Sequence, residues 1–508
     1  MIRFMADTEK YPRTDCSTII VGKNATTTGR VLVGHNEDDP GCMVQSHLVP
    51  RMQHAEGETV RFADGTAVID QVPETCAYYW SEFRSLNGEA FADAFINEYG
   101  VSVVSNGCVD SKHPEGVTGG MGYALRRLIA ERAHSAREGV EIAAALVEKY
   151  GYYSTRSYAI CDKDEGWIFQ VVIGHNFVAQ RVGDDEIQYI PNWLTIRNVD
   201  FNDTEHKKFY FSKTLLSDAL ENGWYKPAKE GDYSDFDFAL TYQEGNAVIP
   251  SNMWRSDLAW RQITGTEPVP HRTFSIKAPR KYGVEDLKKI LRSHYDGHEE
   301  DLKTDPKMSP HRYGICRDTT VESMVIDFAD IPELTCVWRA FPRPCIAPYL
   351  PWYVGITKLP KGYENFGAKT ALASHFAVDP AEFRYDSSRA YWAFHMLENI
   401  MEFDYQFCEE KVHGDIEKME AAMTAAKPLI DEAYRKLAET SPEYARQLLT
   451  DYTAAQAQKA WEWAEQTALE LVDRRMPPTW TSGEASSDSE SVDSKDLCPL
   501  GQGFFFML

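Results

Sequence analysis

Between residues 157 and 182 the chain carries three short apolar runs: Ser157-Tyr-Ala-Ile-Cys161, Trp167-Ile-Phe-Gln-Val-Val172 and Phe177-Val-Ala-Gln-Arg-Val182. The connectors at 162–166 and 174–176 are too short for a crossover helix, so the runs must be antiparallel neighbours in a meander. A helical pair precedes them. Residues 121–132 place Leu125, Leu128 and Ile129 on one face. Ser135-x-x-Glu138 then forms a capping box ahead of Val140, Ala143, Leu146, Val147 and Tyr150, with Gly151 as terminator. Near the start, Ser17-Thr-Ile-Ile-Val21 and Arg30-Val-Leu-Val-Gly34 flank a turn-rich connector and read as an antiparallel pair. Residues 100–105 and 323–328 are further strands. Strand runs flanking a helical pair predict a layered α+β fold with helices covering sheet faces.

The pattern turns almost wholly helical from about 388 to 476, as in 416–437 and 452–472. Residues 481–497 have almost no apolar content and read as disordered. Residues 503–508 are apolar, with no account beyond docking on another surface. The 53 Lys and Arg against 77 Asp and Glu leave a formal charge of −24, which argues against nucleic acid or an anionic membrane as partner. No run of ~18 uncharged apolar residues marks a membrane span. Residues 1–15 lack the apolar core of a secretory signal. The ten cysteines contain no CxxC pair, so zinc-ribbon and thioredoxin-type motifs have no support. A cytoplasmic protein with buried free thiols is the expectation.

The common phosphate, nucleophile and metalloprotease signatures are missing. Thr118-Gly-Gly-Met-Gly122 follows no strand and reads as a turn. His294-Tyr-Asp-Gly-His298 sets two imidazoles and a carboxylate close together, yet it follows the amphipathic run 284–291 at a helix end, where His and Gly are common. With no matching His, Cys or Glu cluster elsewhere, it reads as structural. His35-Asn-Glu-Asp38 cannot ligate one ion, because neighbouring side chains on an extended segment face opposite ways. Cys16 stands directly before a strand, behind a short polar leader. Were the leader removed, one residue would offer both a thiolate nucleophile and an α-amine base of pKa ~7.7–8.0. The alternative is a buried structural cysteine.

Cys16-Ser-Thr-Ile-Ile-Val-Gly-Lys followed by Val33-Gly-His-Asn-Glu-Asp38 resembles the opening of the N-terminal-cysteine dipeptidases. These are N-terminal-nucleophile hydrolases related to secernins, penicillin V acylases and bile salt hydrolases. The similarity continues through Ile96-Asn-Glu-Tyr-Gly-Val101, Ala133-His-Ser-Ala-Arg-Glu-Gly-Val140, Pro191-Asn192, Gly314-Ile-Cys-Arg317 and Pro348-Tyr-Leu-Pro-Trp-Tyr353. The resemblance implies a four-layer αββα sandwich, with a leader at 1–15, a catalytic domain at 16–387, a helical region at 388–476 and a largely disordered acidic tail at 477–508. It implies autocatalytic cleavage between Asp15 and Cys16 and a cytoplasmic cysteine dipeptidase acting on small peptides. A homo-oligomer is implied too, with no metal or organic cofactor. Cys16 would be the nucleophile and Asp38 the carboxylate that orients its amine. Asn192 would donate to the oxyanion, Asn106 would be a second donor, and Arg317 a basic active-site position. The plainer readings are that Asp38 ends a strand, Asn192 and Asn106 form turns, and Arg317 pairs with Asp318 or a surface carboxylate. Several relatives have Arg where this chain has His35, and a neutral imidazole lacks the permanent charge and fork of Arg. Two other readings fit the chain: an N-acyl amide hydrolase with the same machinery, and a non-catalytic, secernin-like interaction protein.

Overall fold

Strand β1 (Ser17–Val21) pairs antiparallel with β2 (Leu32–Asp38), Ser17 facing Asn36 and Val21 facing Leu32. The first strand has its expected bounds. The second was expected at 30–34, but it runs on through the polar His-Asn-Glu-Asp segment. Propensity does not carry that segment; pairing along both of its edges does. The structure is a computed structural model describing residues 16–39, 41–85, 93–117, 120–245, 250–265, 269–295, 298, 310–312 and 314–475. The leader, the disordered stretch at 481–497 and the apolar terminus therefore lie outside the described residues.

The meander is present. β3 (Ser102–Gly107), β4 (Arg156–Cys161), β5 (Gly166–Val171) and β6 (Phe177–Arg181) follow one another as antiparallel neighbours. Beyond β6 the sheet adds Phe209–Phe211, and beyond β3 it adds Ala94–Asn97, Tyr78–Arg84 and Met43–Val49, giving eight strands. A second sheet of seven strands runs in the order Ser275–Lys277, β7 (Glu186–Ile190), β1, β2, β8 (Thr320–Asp327), Cys336–Ala340, Leu350–Tyr353. The expected strands at 100–105 and 323–328 are thus displaced by two or three residues at their starts, to 102 and 320.

The outer face of the eight-stranded sheet is covered by α1 (Leu125–Arg132) and α2 (Ala136–Tyr150). Leu125, Leu128, Ile129, Val140, Ala143 and Val147 pack there against Ile160, Trp167, Phe169 and Phe177. Each Leu, Ile, Val and Phe among them contributes about 1.5–3 kcal/mol by leaving water. Ser135 Oγ accepts the Glu138 N–H at 3.2 Å, and Gly151 ends the helix at φ 75°. The Glu138 carboxylate takes the N–H of His134, not of Ser135, so only half of the capping box forms. α1 starts four residues later than its pattern implies. Met121 is tied to the 151–153 segment instead, donating its N–H to Gly151 and accepting that of Tyr153.

On the outer face of the seven-stranded sheet lie α3 (Pro250–Thr264) and α4 (Val284–Leu291). The C-terminal helices α5 (Ala390–Phe403), α6 (Tyr405–Ala438) and α7 (Pro442–Arg475) join the same apolar core. Gly34 in β2 lets α4 lie flat on the strand, since a Cβ there would sit 3.2 Å from both Leu287 and Leu291. Gly166 does the same between the sheets, where a Cβ would fall 2.6 Å from the Ile20 side chain. The result is the four-layer αββα sandwich with a helical C-terminal region. No helix among the described residues is long and apolar enough to cross a membrane.

The alternation of β1 and β2 follows from these contacts. Ile20 meets the opposite sheet and Gly34 meets a helix, so Thr18, His35 and Glu37 point into the space between the sheets. A second polar cluster lies elsewhere on the eight-stranded sheet, beside a cavity of about 810 Å³ lined by Trp80, Phe95, Tyr123, Arg126 and His375. Here His375 Nε2 is 2.8 Å from Asp93 and its Nδ1 is 3.0 Å from Glu82. Burial alone would lower the pKa of this imidazole, but the two carboxylates push it up to about 9. The folded state thus holds the proton more tightly than the unfolded chain, where the value is ~6.5. The stabilisation, roughly 3 kcal/mol, is complete below pH ~6.5 and is lost as pH rises through about 9. Thermal unfolding should therefore show Tm falling from pH 7 to pH 9.5 in the native chain. The His375→Gln variant, less stable at pH 7, should show a flatter profile; parallel profiles would remove this ion cluster from the account.

Candidate active site

Cys16 immediately precedes β1 and is buried at 6% exposure. Its thiol donates to Glu37 Oε1 at 2.7 Å. The second Glu37 oxygen lies 3.1 Å from His35 Nε2, and His35 Nδ1 lies 2.8 Å from Thr18 Oγ1. Thr18 donates to Asn106 Oδ1 at 2.5 Å, and Asn106 Nδ2 donates back to the carbonyl of Cys16 at 2.9 Å. Starting at the thiol and ending at the carbonyl of the same residue, the chain of contacts closes on itself. It crosses between the sheets, because Asn106 belongs to β3 and the other four residues to β1, β2 and the residue before β1.

Counting hydrogens fixes its polarity. Thr18 has one hydroxyl hydrogen, and it goes to Asn106, so Thr18 accepts from an N–H on His35 Nδ1. The His35–Glu37 contact then needs a proton of its own, because a bare imidazole lone pair facing a carboxylate would be two acceptors in contact. One shared hydrogen between Nε2 and the carboxyl oxygen closes the circuit.

The carbonyl of Cys16 is clamped from a second side. Arg255, on α3 and fully buried, donates from Nη1 to that oxygen at 2.8 Å and to Ser17 Oγ at 3.0 Å. Its Nη2 donates to Asn192 Oδ1 at 2.5 Å and also to Asn252. Asn192 Nδ2 donates to the Gly107 carbonyl at 2.8 Å, which leaves a second hydrogen on that nitrogen. Asn106 has no such reserve: its Nδ2 gives one hydrogen to Cys16 and the other to the Ile190 carbonyl, at 3.2 Å. Its geometry is that of a group positioning the Cys16 backbone.

Asp38 ends β2 and accepts from Thr320 Oγ1 at 2.5 Å. Thr320 in turn accepts the backbone N–H of Arg317 at 2.9 Å. Arg317 is buried, and with Arg255 and Asp38 it acts electrostatically on Tyr189, whose hydroxyl is 3.0 Å from Ser17 Oγ. All five residues singled out in the sequence therefore converge on one place: Cys16, Asp38, Asn106, Asn192 and Arg317.

Burial holds the Cys16 thiol well above its ordinary pKa, and the charges of Glu37 and Asp38 push it the same way. Within the intact chain the sulfur is thus a protonated hydrogen-bond donor. Asp39 is also raised, to about 6, first by burial and then by Glu37, with Arg156 opposing. Arg156 lies within electrostatic reach of Cys16 as well. It donates to Ser105 Oγ at 2.9 Å and stacks on Tyr123 at 4.2 Å, and Arg126 donates to the same Ser105 at 3.1 Å. Through Arg126 and Tyr123 the site adjoins the 810 Å³ cavity.

Sequence reasoning assigned no role to Glu37, Thr18, Arg156 or Arg255. Glu37 sits two positions from His35, and that parity alone puts the two side chains on one face of a strand. Arg255 offers no such signal, since nothing around Met253-Trp-Arg255 marks it. Of the metal-like motif, His298 Nδ1 accepts from Arg261 at 2.9 Å, and Asp296 lies outside the described residues. His294 points into a different cluster, with His311, Cys316 and Cys345. Of the glycine-rich segment, Thr118 and Gly119 also lie outside the described residues.

The model of Peptidase family C69 matches residues 15–418. Among curated proteins, dipeptidase A of Lactobacillus helveticus is 26% identical over 385 residues, covering 70% of this chain and 78% of its own. A probable dipeptidase B of Lactococcus lactis is 24% identical over 408 residues, covering 76% and 80%. A probable dipeptidase B of Streptococcus pyogenes is 22% identical over 489 residues, covering 91% and 93%. With one family model spanning most of the chain, from beside the buried cysteine into the C-terminal helices, the chain belongs to peptidase family C69 and is a peptide-bond hydrolase.

Proposed function

We propose that the chain is a cysteine dipeptidase that cleaves dipeptides or short peptides with a free N-terminus, with Cys16 as an N-terminal nucleophile once residues 1–15 are removed. The observation that carries this reading is the pairing of the Cys16 thiol with Glu37 beside Asp38, at the head of a strand whose first carbonyl is clamped by Asn106 and Arg255. The dipeptidase names of the curated relatives support the substrate class.

In the intact chain the site holds two carboxylates and a protonated thiol, so the sulfur is a weak nucleophile. Freeing the Cys16 amine changes that balance. Carboxylates beside an amine favour its cation, so the amine takes the thiol proton. The ammonium then offsets Glu37 and Asp38, and the sulfur is left as thiolate. The thiolate attacks the scissile carbonyl carbon. The oxyanion that forms is met by the second N–H of Asn192. The ammonium protonates the departing amine as the C–N bond breaks, leaving a thioester on Cys16. Water, deprotonated by the Cys16 amine, hydrolyses the thioester. During maturation Glu37 takes the thiol proton and the sulfur attacks the Asp15 carbonyl carbon. The proton passes to the departing Cys16 nitrogen as the C–N bond breaks, and water hydrolyses the resulting thioester to release residues 1–15. Asp39 and Arg156 offer one anion and one cation near the nucleophile, which suits a substrate carrying an ammonium and a carboxylate a residue or two apart.

Turnover of a panel of dipeptides, with N-acyl amides alongside, tests the reading. The Cys16→Ala variant should lose at least about a thousandfold in kcat/KM. Near-native dipeptide turnover by that variant, or turnover of N-acyl amides alone, would refute it. The electrostatics give a second check. In chain that still carries residues 1–15, alkylation of Cys16 should be slow at pH 7 and should climb with pH past 9 without a plateau. Glu37→Gln removes one of the charges that raise the thiol, so alkylation at fixed pH should speed up several-fold; an unchanged rate would mean that Glu37 does not control the sulfur.

A further inference from the structure

Behind the active site, four residues from two connections, one between α4 and β8 and one after the strand Cys336–Ala340, bring their ligating atoms together. His294 follows α4, His311 lies in the short 3-10 turn Pro310–Arg312, Cys316 precedes β8, and Cys345 follows the strand Cys336–Ala340. All four are buried, with at most 2% exposure. One nitrogen or sulfur from each lies within 4.8 Å of every other. Among these, His311 Nε2 is 3.2 Å from Cys345 Sγ, and the two sulfurs are 3.5 Å apart. A tetrahedral zinc with bonds of about 2.3 Å to sulfur and 2.0–2.1 Å to nitrogen has edges of roughly 3.3–3.8 Å. The cluster already spans that size at two edges and needs only a small contraction at the others.

From this geometry we infer a structural zinc site formed by His294, His311, Cys316 and Cys345. Two thiolates and two imidazoles in a closed, dry pocket make a donor set that selects zinc over calcium or magnesium, which take oxygen ligands. The surroundings fit an ion. His311 Nδ1 lies 2.5 Å from the Glu402 carboxylate of α5. Arg343 Nη1 lies 3.3 Å from the same nitrogen, but the closer carboxylate decides the tautomer and turns the Nε2 lone pair toward the cluster. This is the carboxylate–histidine–metal arrangement. His294 Nε2 is buried with no hydrogen-bond partner among the described residues, and coordination would satisfy it. Other roles fit less well. A disulfide between Cys316 and Cys345 would explain neither imidazole, and a cysteine–histidine catalytic pair has no access to substrate here.

The ion would brace the catalytic site without entering the reaction. Cys316 stands between Ile315, whose carbonyl accepts from Asn36 Nδ2 at 3.1 Å, and Arg317, whose N–H reaches Asp38 through Thr320. Asn36 also donates to the carbonyl of Leu291, at the end of α4, at 2.9 Å. Both ends of the connection between α4 and β8, which carries three of the four ligands, therefore press on the strand that carries Glu37 and Asp38.

Elemental analysis of the full chain, purified under reducing conditions without chelator, tests the site. The expected content is about one zinc per chain, retained in Cys16→Ala and lost in Cys316→Ser and Cys345→Ser, with a lower Tm in the two serine variants. Should those variants fail to fold, X-ray absorption at the zinc edge of the native chain decides the matter. Two sulfur and two nitrogen neighbours support the site, and a shell of oxygen and nitrogen alone overturns it. Less than a tenth of an equivalent of metal, with no uptake from added zinc, also overturns it, as does loss of zinc in Cys16→Ala.

Discussion

The register between β1 and β2 sets everything else at the site. With Thr18 opposite His35 and Ser17 opposite Asn36, period-two alternation turns Thr18, His35 and Glu37 into the space between the sheets. Asn36 turns the other way, to the helix layer. A slip of one residue would exchange these faces and leave the thiol without Glu37. Apolar packing holds the register: Ile19 and Ile20 are fully buried within the sandwich, and Gly34 and Gly166 admit close neighbours on either face. The hydrogen-bonded circuit through Cys16, Glu37, His35, Thr18 and Asn106 then locks the backbone at the head of β1.

That circuit is polar, buried and charged, which is costly unless its groups are paired. The arginines distribute the compensation. Arg255 holds the Cys16 carbonyl and Asn192 together, Arg156 faces Asp39, and Arg317 stands behind Asp38 and Thr320. Burial, with two carboxylates acting in the same direction, suppresses ionisation of the thiol in the intact chain. The same two would stabilise a cation at the neighbouring amine. In the proposed reading, cleaving one peptide bond supplies that cation and turns an inert sulfur into a nucleophile.

Much of this was legible in the residues themselves. The meander and capped helix follow from short connectors, side-chain alternation and the Ser135 cap. Cys16 was conspicuous by its place before a strand. The end of β2 was not legible, because a polar His-Asn-Glu-Asp segment has little strand propensity and becomes a strand only through its two neighbours. Arg255 and Arg156 were hidden for another reason: their partners lie up to 239 positions away in the chain, and no local pattern records such a distance. His294 shows the same limit. Its nearest sequence neighbour of the right type, His298, belongs to Arg261, whereas its spatial neighbours come from loops that only the folded sheet brings together.

The proposed zinc and the proposed nucleophile occupy opposite sides of one strand, the ion bracing the loops that Asn36 and Asp38 touch and the thiol facing Glu37 across the interior. The central claim is that the active form begins at Cys16. An intact-mass measurement on catalytically active protein, with labelling of the free α-amine, addresses it most directly. The account predicts a mass lacking residues 1–15 and the label on Cys16. A full-length mass, in protein that turns over dipeptides at the same rate, would contradict it.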